Sequence, residues 1–302
     1  MNPLPPEQSR TFLRKRSASA LFLGALFLGS LLVAGYIFFV GSPVGQHWDN
    51  QGYAGRMVAG PDVRVFDTDI LQEVTKRSLV LAFAAIFLMS CVFGCPVVGV
   101  VAVLAAAGAV FGAEFLKHTL PRALLSPPLG PVPGYFSSDT YPSGHTTVGT
   151  SLALAVVLIS GPRLRPWSAV AAGIMGTSYA TAVLFLGWHR PSDALGGLAW
   201  SGFCFAVVAG LLVLLGGHHS LTTHVSKATW LSGLLGLLLI CGLMGYPFFP
   251  AGYAGSGIPF FSMTACIIAA GFAVPAWFAF ALREISWRSL HPRLSRPTPP
   301  DK

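Results

Sequence analysis

The sequence has few charged residues for its length. Asp, Glu, Lys and Arg make up 10% of its 302 residues, against 53% for apolar residues. Apolar runs long enough to span a bilayer recur along the chain. The composition therefore argues against a soluble domain and predicts a polytopic integral membrane protein.

Paired cysteines are also absent. All the cysteines fall inside apolar runs, and none shows the C-x-x-C spacing that zinc and redox sites use. We therefore expect packed or lipid-facing thiols. The five are Cys91, Cys95, Cys204, Cys241 and Cys266.

Acidic residues are almost missing from the apolar part of the chain. Between residues 78 and 283 they are Glu114, Asp139 and Asp193. All lie in or beside three polar stretches, which are residues 117–122, 141–147 and 187–193. An ionisable group at mid-membrane costs roughly 2.5–3.5 kcal/mol. Chance placement is a poor explanation, so we predict that the three stretches form one active site.

The apolar runs predict an all-α fold, a polytopic membrane bundle of about eight transmembrane helices. The predicted spans are 19–41, 78–94, 97–116, 145–161, 167–187, 192–216, 229–247 and 258–282. Pro96 is the expected break between the second and third spans, with one long kinked helix as the alternative. The first span is too long for a cleaved signal peptide, so we expect it to remain.

The net charge of +8 comes from basic residues at both termini and in the turn that holds Arg163 and Arg165. This distribution fits anionic headgroups and the positive-inside rule better than it fits nucleic acid. We predict that both termini are cytoplasmic, in the plasma (inner) membrane. The three polar stretches then emerge together on the outer face, because an even number of helices separates them.

The middle stretch places Ser143 where a helix N-cap belongs, directly before an apolar run. Gly144 leaves the backbone open to close approach, and His145 falls in the first turn. Free amides and the positive end of the helix dipole suit a phosphate. The alternative is a capped helix whose histidine rests at the interface.

In the third stretch, His189 and Asp193 are four residues apart at the start of a helix whose first position is expected at Pro191. This spacing lets the carboxylate reach the imidazole, which then serves as a nucleophile or base. An interfacial salt bridge is one alternative. A metal site is another, although no third ligand stands near and the neighbouring basic residues repel a cation.

The first stretch supplies Lys117 and Arg122, side chains of the types that clamp phosphate. Glu114, one turn before Lys117, is expected to position that lysine. Snorkelling of the two cations toward headgroups is the alternative.

The motifs, in this order, resemble the signature of the type-2 phosphatidic acid phosphatase superfamily over about residues 78–216. This family includes lipid phosphate phosphatases, bacterial polyprenyl-diphosphate phosphatases and vanadium haloperoxidases. The resemblance implies a catalytic nucleophile at His189, an orienting carboxylate at Asp193 and an acid at His145. It further implies phosphate binding by Lys117, Arg122, Ser143 and Gly144.

Two departures from the family pattern stand out. Arg122 follows Lys117 after four residues, where the family usually has six, and Ala123 replaces a proline. The third motif carries Val183 where the family has an arginine. We hypothesise that Arg190 compensates as a further phosphate-binding residue; the alternative is that it snorkels toward headgroups.

The expected function is metal-independent and cofactor-free hydrolysis of a lipid phosphate or polyprenyl diphosphate at the outer leaflet, through a phosphohistidine. Membrane lipids are the other expected partners. A lipid phosphotransferase and a non-catalytic lipid-phosphate binding or transport protein are the alternatives.

The outer loop 42–77 is long enough to cover the site. The expected regions are a basic tail at 1–18, a phosphatase-like core with six helices at 19–216, two further helices at 217–282 and a Pro-rich basic tail at 283–302.

Overall fold

The fold is a bundle of α-helices. A computed structural model describes residues 6–58, 71–72, 74–127, 140–216, 218–219 and 258–287. The helices bounded within these ranges are α1 (Pro6–Gly35), α2 (Pro43–Ala54), α3 (Lys76–Val92), α4 (Pro96–Thr119), α5 (Gly144–Ile159), α6 (Arg165–Phe185), α7 (Pro191–Gly216) and α8 (Ile258–Ala281). A π-helical turn, Tyr36–Val40, extends α1, and a 3-10 turn, Gly55–Val58, extends α2. Two short strands, β1 (His218–His219) and β2 (Ile285–Ser286), pair antiparallel.

Five of these helical segments are long and apolar enough to cross a membrane, and α5 is a shorter apolar helix. The five are Thr11–Val40, Pro96–Thr119, Arg165–Phe185, Pro191–Gly216 and Phe260–Ala281. The predicted all-α polytopic membrane bundle is therefore confirmed, and the chain is an integral membrane protein. Each predicted span coincides with a helix, apart from 229–247, which lies outside the described residues.

Two predicted boundaries need correction. The first helix begins at Pro6, well before the predicted start at residue 19. The predicted loop 42–77 contains α2, which begins with Ser42 as N-cap and Pro43 in its first turn. The Ser42 hydroxyl oxygen accepts a hydrogen bond from the Gly45 amide at 3.0 Å, so a recognisable helix start was overlooked.

Pro96 does separate two helices, as predicted. Gly94 adopts φ of +73°, and the Cys95 amide donates to the Ser90 carbonyl at 2.8 Å, closing the turn after α3. A Cβ at Gly99 would lie 1.8 Å from the Ser90 hydroxyl oxygen, so α3 and α4 touch immediately beyond the turn. The alternative of one long kinked helix is wrong.

Small residues let the central helices approach one another closely. A Cβ at Gly173 of α6 would lie 2.1 Å from the Phe272 ring of α8. A Cβ at Gly271 would lie 2.3 Å from the Thr177 hydroxyl oxygen. Close contact through glycine is a common means of association between membrane helices. Helix α8 therefore packs directly against the helices of the predicted phosphatase core.

The bundle end opposite the polar motifs is closed by Arg165. This side chain is fully buried. Its guanidinium donates to the carbonyls of Ser160, Leu282 and Ile285, the last at 3.0 Å. These carbonyls lie just beyond the C-terminal ends of α5 and α8, where helical carbonyls lack partners. Arg165 thus ties together the ends of three helices.

Candidate active site

The three polar stretches meet at one end of the bundle. Arg122 Nη2 lies 2.9 Å from Asp193 Oδ1, which joins the first stretch to the third. The Ser143 amide donates to the Asp193 carbonyl at 2.8 Å, which joins the second to the third. A Cβ at Gly144 would lie 2.9 Å from Lys117 Nζ, so the first and second are also in contact.

The start of α5 is built around Ser143, which is fully buried. Its hydroxyl oxygen accepts from the Thr146 amide at 3.3 Å, as the N-cap prediction requires. Because the Ser143 amide is engaged by Asp193, the amides that this helix end directs outward belong to its first turn, at Gly144 and His145. They coincide with the positive end of the helix dipole.

Gly144 lies against the ends of the Lys117 and Glu114 side chains. A Cβ there would lie 2.6 Å from Glu114 Oε1 as well as against the lysine ammonium. Lys117 Nζ and Glu114 Oε1 form an ion pair at 2.7 Å, as the three-residue spacing predicts. Glu114 therefore holds Lys117 beside the first turn of α5.

A Schellman turn at the end of α6 sets the position of His189. Gly187 adopts φ of +72°, which favours glycine. The Gly187 amide donates to the Leu184 carbonyl at 3.0 Å, and the Trp188 amide donates to the Val183 carbonyl at 2.9 Å. The His189 amide also donates to the Val183 carbonyl, at 3.0 Å. Val183, where the family carries an arginine, thus contributes its backbone to this turn.

His189 and Asp193 face one another across the first turn of α7. His189 Nδ1 lies 3.4 Å from Asp193 Oδ2, and the carboxylate is fully buried. The same oxygen accepts from the Arg190 amide at 3.0 Å, while Oδ1 is held by Arg122. The carboxylate is thereby fixed on one side of the imidazole, and Nε2 is the ring nitrogen directed away from it.

His145 occupies the first turn of α5, as predicted. Its ring lies edge-on to Trp188, with 5.1 Å between the ring centroids. Trp188 immediately precedes His189, so both predicted catalytic histidines lie at the same end of the bundle.

Arg122 lies in a buried network with two carboxylates. Nη1 lies 3.1 Å from Asp49 Oδ2 and Nη2 lies 3.2 Å from the Ser192 hydroxyl oxygen, in addition to its contact with Asp193. Burial alone would lower the pKa of Arg122, but the charges of Asp193 and Asp49 outweigh it, so the pKa is raised. Burial raises the pKa of Asp49, and the charge of Arg122 opposes that shift.

Arg190 is enclosed by protein, with 5% of its surface exposed. Its Nε donates to Asn50 Oδ1 at 3.0 Å. Burial, followed by the nearby charge of Arg122, lowers the pKa of the Arg190 guanidinium. The alternative in which Arg190 extends toward lipid headgroups is therefore wrong.

The contribution of α2 to the site was not predicted from the sequence. Its buried polar face consists of Gln46, Asp49, Asn50 and Tyr53. Their spacing of three, four and seven residues is that of one helix face, and this periodicity after Ser42-Pro43 is the signal that could have revealed it. We call these four residues the α2 polar face.

Three members of the α2 polar face bond to the first or the third polar stretch, and Gln46 bonds to the segment just after the first. Gln46 Nε2 donates to the Ala123 carbonyl at 2.6 Å, close to Arg122. The Tyr53 hydroxyl donates to the Gly187 carbonyl at 3.0 Å. Asn50 Nδ2 donates to the Pro127 carbonyl at 3.2 Å, and Asn50 also accepts from Arg190. Helix α2 thus joins the segment after α4 to the turn before α7.

The fold and the meeting of the three motifs define an integral membrane protein with a polar site at one end of its bundle. Residues 96–217 match the family model described as PAP2 superfamily. This match supports the assignment of residues 96–217 to the type-2 phosphatidic acid phosphatase superfamily, and it suggests phosphatase activity on phosphate esters. The match contains all three motifs and leaves α1, α2, α3 and α8 outside. No curated protein and no solved structure matches the chain.

Proposed function

We propose that this protein is a metal-independent membrane phosphatase acting on a lipid phosphate or polyprenyl diphosphate at the outer leaflet, with both termini in the cytoplasm. One observation carries the proposal: Asp193, held by Arg122 and by the Arg190 amide, faces Nδ1 of His189 at 3.4 Å. A protein that only binds phosphate needs cations but does not need a carboxylate fixed against an imidazole.

In the proposed first step, Nε2 of His189 attacks phosphorus and the bond from phosphorus to the leaving oxygen breaks. His145 donates a proton to that oxygen, and Asp193 stabilises the positive charge on the modified imidazole. In the second step, water attacks phosphorus, His145 takes its proton, and the bond to Nε2 breaks. Inorganic phosphate leaves, and His189 is regenerated.

Lys117 and the first-turn amides of Gly144 and His145 are the proposed main phosphate-binding groups, because they converge at the positive end of α5. Direct phosphate binding by Arg122, Ser143 and Arg190 stays a prediction. The Arg122 guanidinium, the Arg190 Nε and the Ser143 amide already have protein partners.

A cavity of about 670 Å³ between α1, α7 and α8 supports a lipid substrate. Its walls are mainly apolar and include Leu31, Val274 and Trp277, while Tyr141 and Ser192 border it next to the motifs. We propose that the hydrocarbon chain of the substrate lies in this cavity, because burying a chain there leaves its headgroup beside the polar site.

The test is to incubate purified protein with radiolabelled lipid phosphate and to measure both released phosphate and acid-labile label on protein. We expect release from the wild type, label on His189, and neither with His189→Ala. His47→Ala is the matched control, since His47 is an exposed histidine of α2 outside the three polar stretches. Label passed to a lipid acceptor would indicate a phosphotransferase, and tight binding without release would indicate a binding protein.

A further inference from the structure

We propose that Asp49, on a helix outside the region that matches the family, is a positioning residue for the nucleophile. It acts through Arg122 and Asp193. The inference rests on the proposed function, because the group being positioned is the proposed nucleophile His189.

Asp49 is fully buried and both of its carboxylate oxygens are engaged. Oδ1 accepts from the Ser192 amide at 3.0 Å, and Oδ2 accepts from the Ser192 hydroxyl at 2.6 Å. Oδ2 also lies 3.1 Å from Arg122 Nη1. A carboxylate at the first turn of α7 is favoured by the helix dipole. These contacts fix Asp49 relative to the same helix turn that carries Asp193.

The two terminal nitrogens of Arg122 are divided between two carboxylates. Nη1 binds Asp49, whereas Nη2 binds Oδ1 of Asp193. This division matters because a guanidinium with a single carboxylate partner tends to bind both of its oxygens in a fork. Because Asp49 binds Nη1, Arg122 contacts only Oδ1 of Asp193. The other oxygen of Asp193, Oδ2, can then face His189.

Removing Asp49 would release Nη1 inside a buried site. Arg122 would then turn onto both oxygens of Asp193, compete with His189 for Oδ2, and leave the imidazole without a fixed orientation. Substrate binding through Lys117 and the start of α5 would change little, since Lys117 is held by Glu114 rather than by Asp49 or Arg122. The expected loss is therefore in kcat rather than in KM.

The experiment measures kcat and KM of purified Asp49→Asn, Arg122→Met and the double variant, after wild-type phosphate release has been established. We expect Asp49→Asn to lower kcat by about 10- to 100-fold, with KM within about twofold, and we expect that loss to shrink severalfold in the Arg122→Met background. Such coupling is expected for residues acting through one another and not for independent damage. His47→Ala, on the exposed face of α2, is the control that keeps wild-type kinetics.

Folding is controlled by the thermal midpoint and by two further variants. Asp49→Glu retains the charge, and we expect it to recover part of the kcat. The double variant removes both charges of a buried pair, which is tolerated better than removing one. Normal kcat in folded Asp49→Asn, or an undiminished loss in the Arg122→Met background, would overturn the proposal.

The positioning proposal is separable from the phosphatase proposal. If the wild type releases no phosphate, the phosphatase proposal fails by itself. The orientation of His189 is then read from its rate of modification by diethyl pyrocarbonate, followed by mass spectrometry. We expect this rate to fall in Asp49→Asn and to recover in the double variant. Equal rates in all three proteins would contradict the positioning role.

Discussion

Both ends of the bundle bury arginine, but the partners differ. At one end, Arg165 donates to three backbone carbonyls. At the other, Arg122 binds the carboxylates of Asp49 and Asp193, and the latter also faces His189. Only the second arrangement includes groups that can exchange protons or attack phosphorus.

The comparison shows that burial of charge does not by itself mark a catalytic site. Carbonyls at helix ends accept a guanidinium without any acidic partner, so Arg165 serves as a cap for α5 and α8. A buried carboxylate whose oxygens face both an arginine and a histidine, as those of Asp193 do, can in addition hold the imidazole in one orientation.

The largest expected effect is at the site end. His189→Ala abolishes phosphate release, because no other side chain in the proposed mechanism bonds to phosphorus. Asp193→Asn lowers kcat on the order of 10³–10⁴-fold and leaves a residue of activity, since the carboxylate orients without bonding to phosphorus. Initial rates of phosphate release check both. Near-normal turnover in folded His189→Ala would show that the cluster around His189 has only a structural role, like that of Arg165.

The second prediction contrasts the two arginines directly. Arg122→Met lowers kcat by about 10²-fold, because it frees Asp193, the carboxylate that faces His189. Arg165→Met lowers the thermal midpoint, because hydrogen bonds to a charged group are worth roughly 1.5–3 kcal/mol each. Its kcat per folded molecule stays unchanged. Measuring kcat and the thermal midpoint for each variant tests the contrast, which fails if both variants lose turnover equally.

The third prediction concerns Arg190, which bonds to Asn50. We expect Arg190→Ala to lower kcat by roughly 10-fold, because one charge-assisted hydrogen bond is lost. A similar loss in Arg190→Lys would indicate that the planar fork is needed. Asn50→Ala shows how much of the effect passes through α2. Unchanged turnover in both arginine variants would remove Arg190 from the site.

The smallest expected effect is in the apolar cavity. Ala273→Trp narrows it at α8, so KM for a long-chain lipid phosphate rises several-fold, while a short-chain analogue reacts as before. Ala85→Trp on the exposed face of α3 is the matched control, since Ala85 does not line the cavity. Equal kinetics of the two variants on long chains would place the hydrocarbon chain elsewhere.

Much of this arrangement could be predicted from sequence. Apolar runs locate the described spans, Pro96 marks a true break, and the spacing of His189 and Asp193 predicts their contact. These features depend on local periodicity and on helix geometry. Placing the motifs at one end requires only an even number of helices between them.

The remainder depends on tertiary contacts. The engagement of Arg122 by Asp49 joins residues 73 positions apart, and no local pattern encodes such a pairing. The spacing of the α2 polar face predicts that its residues share one side of a helix. It does not predict their burial, because a polar helix face is ordinarily exposed to solvent. A direct phosphate contact was predicted for Arg122 from its charge and from the family resemblance. For Arg190 it was predicted as compensation for the arginine missing at Val183. The protein partners of both side chains are tertiary contacts that these arguments did not include.

The large sequence separation between α2 and its partners near α7 has a consequence for biosynthesis. Asp49 and Ser192 are 143 positions apart, and Asn50 and Arg190 are 140 apart. Chains fold from the N-terminus as they are made, so α2 leaves the ribosome long before its partners on α7 exist. The contacts of α2 with residues 122–127 can form earlier, but its contacts with Arg190 and Ser192 cannot form until those residues have been made. A nascent chain arrested before residue 190 therefore lacks the Asn50–Arg190 and Asp49–Ser192 contacts, and α2 completes its polar network only after the segment that begins α7 has been made.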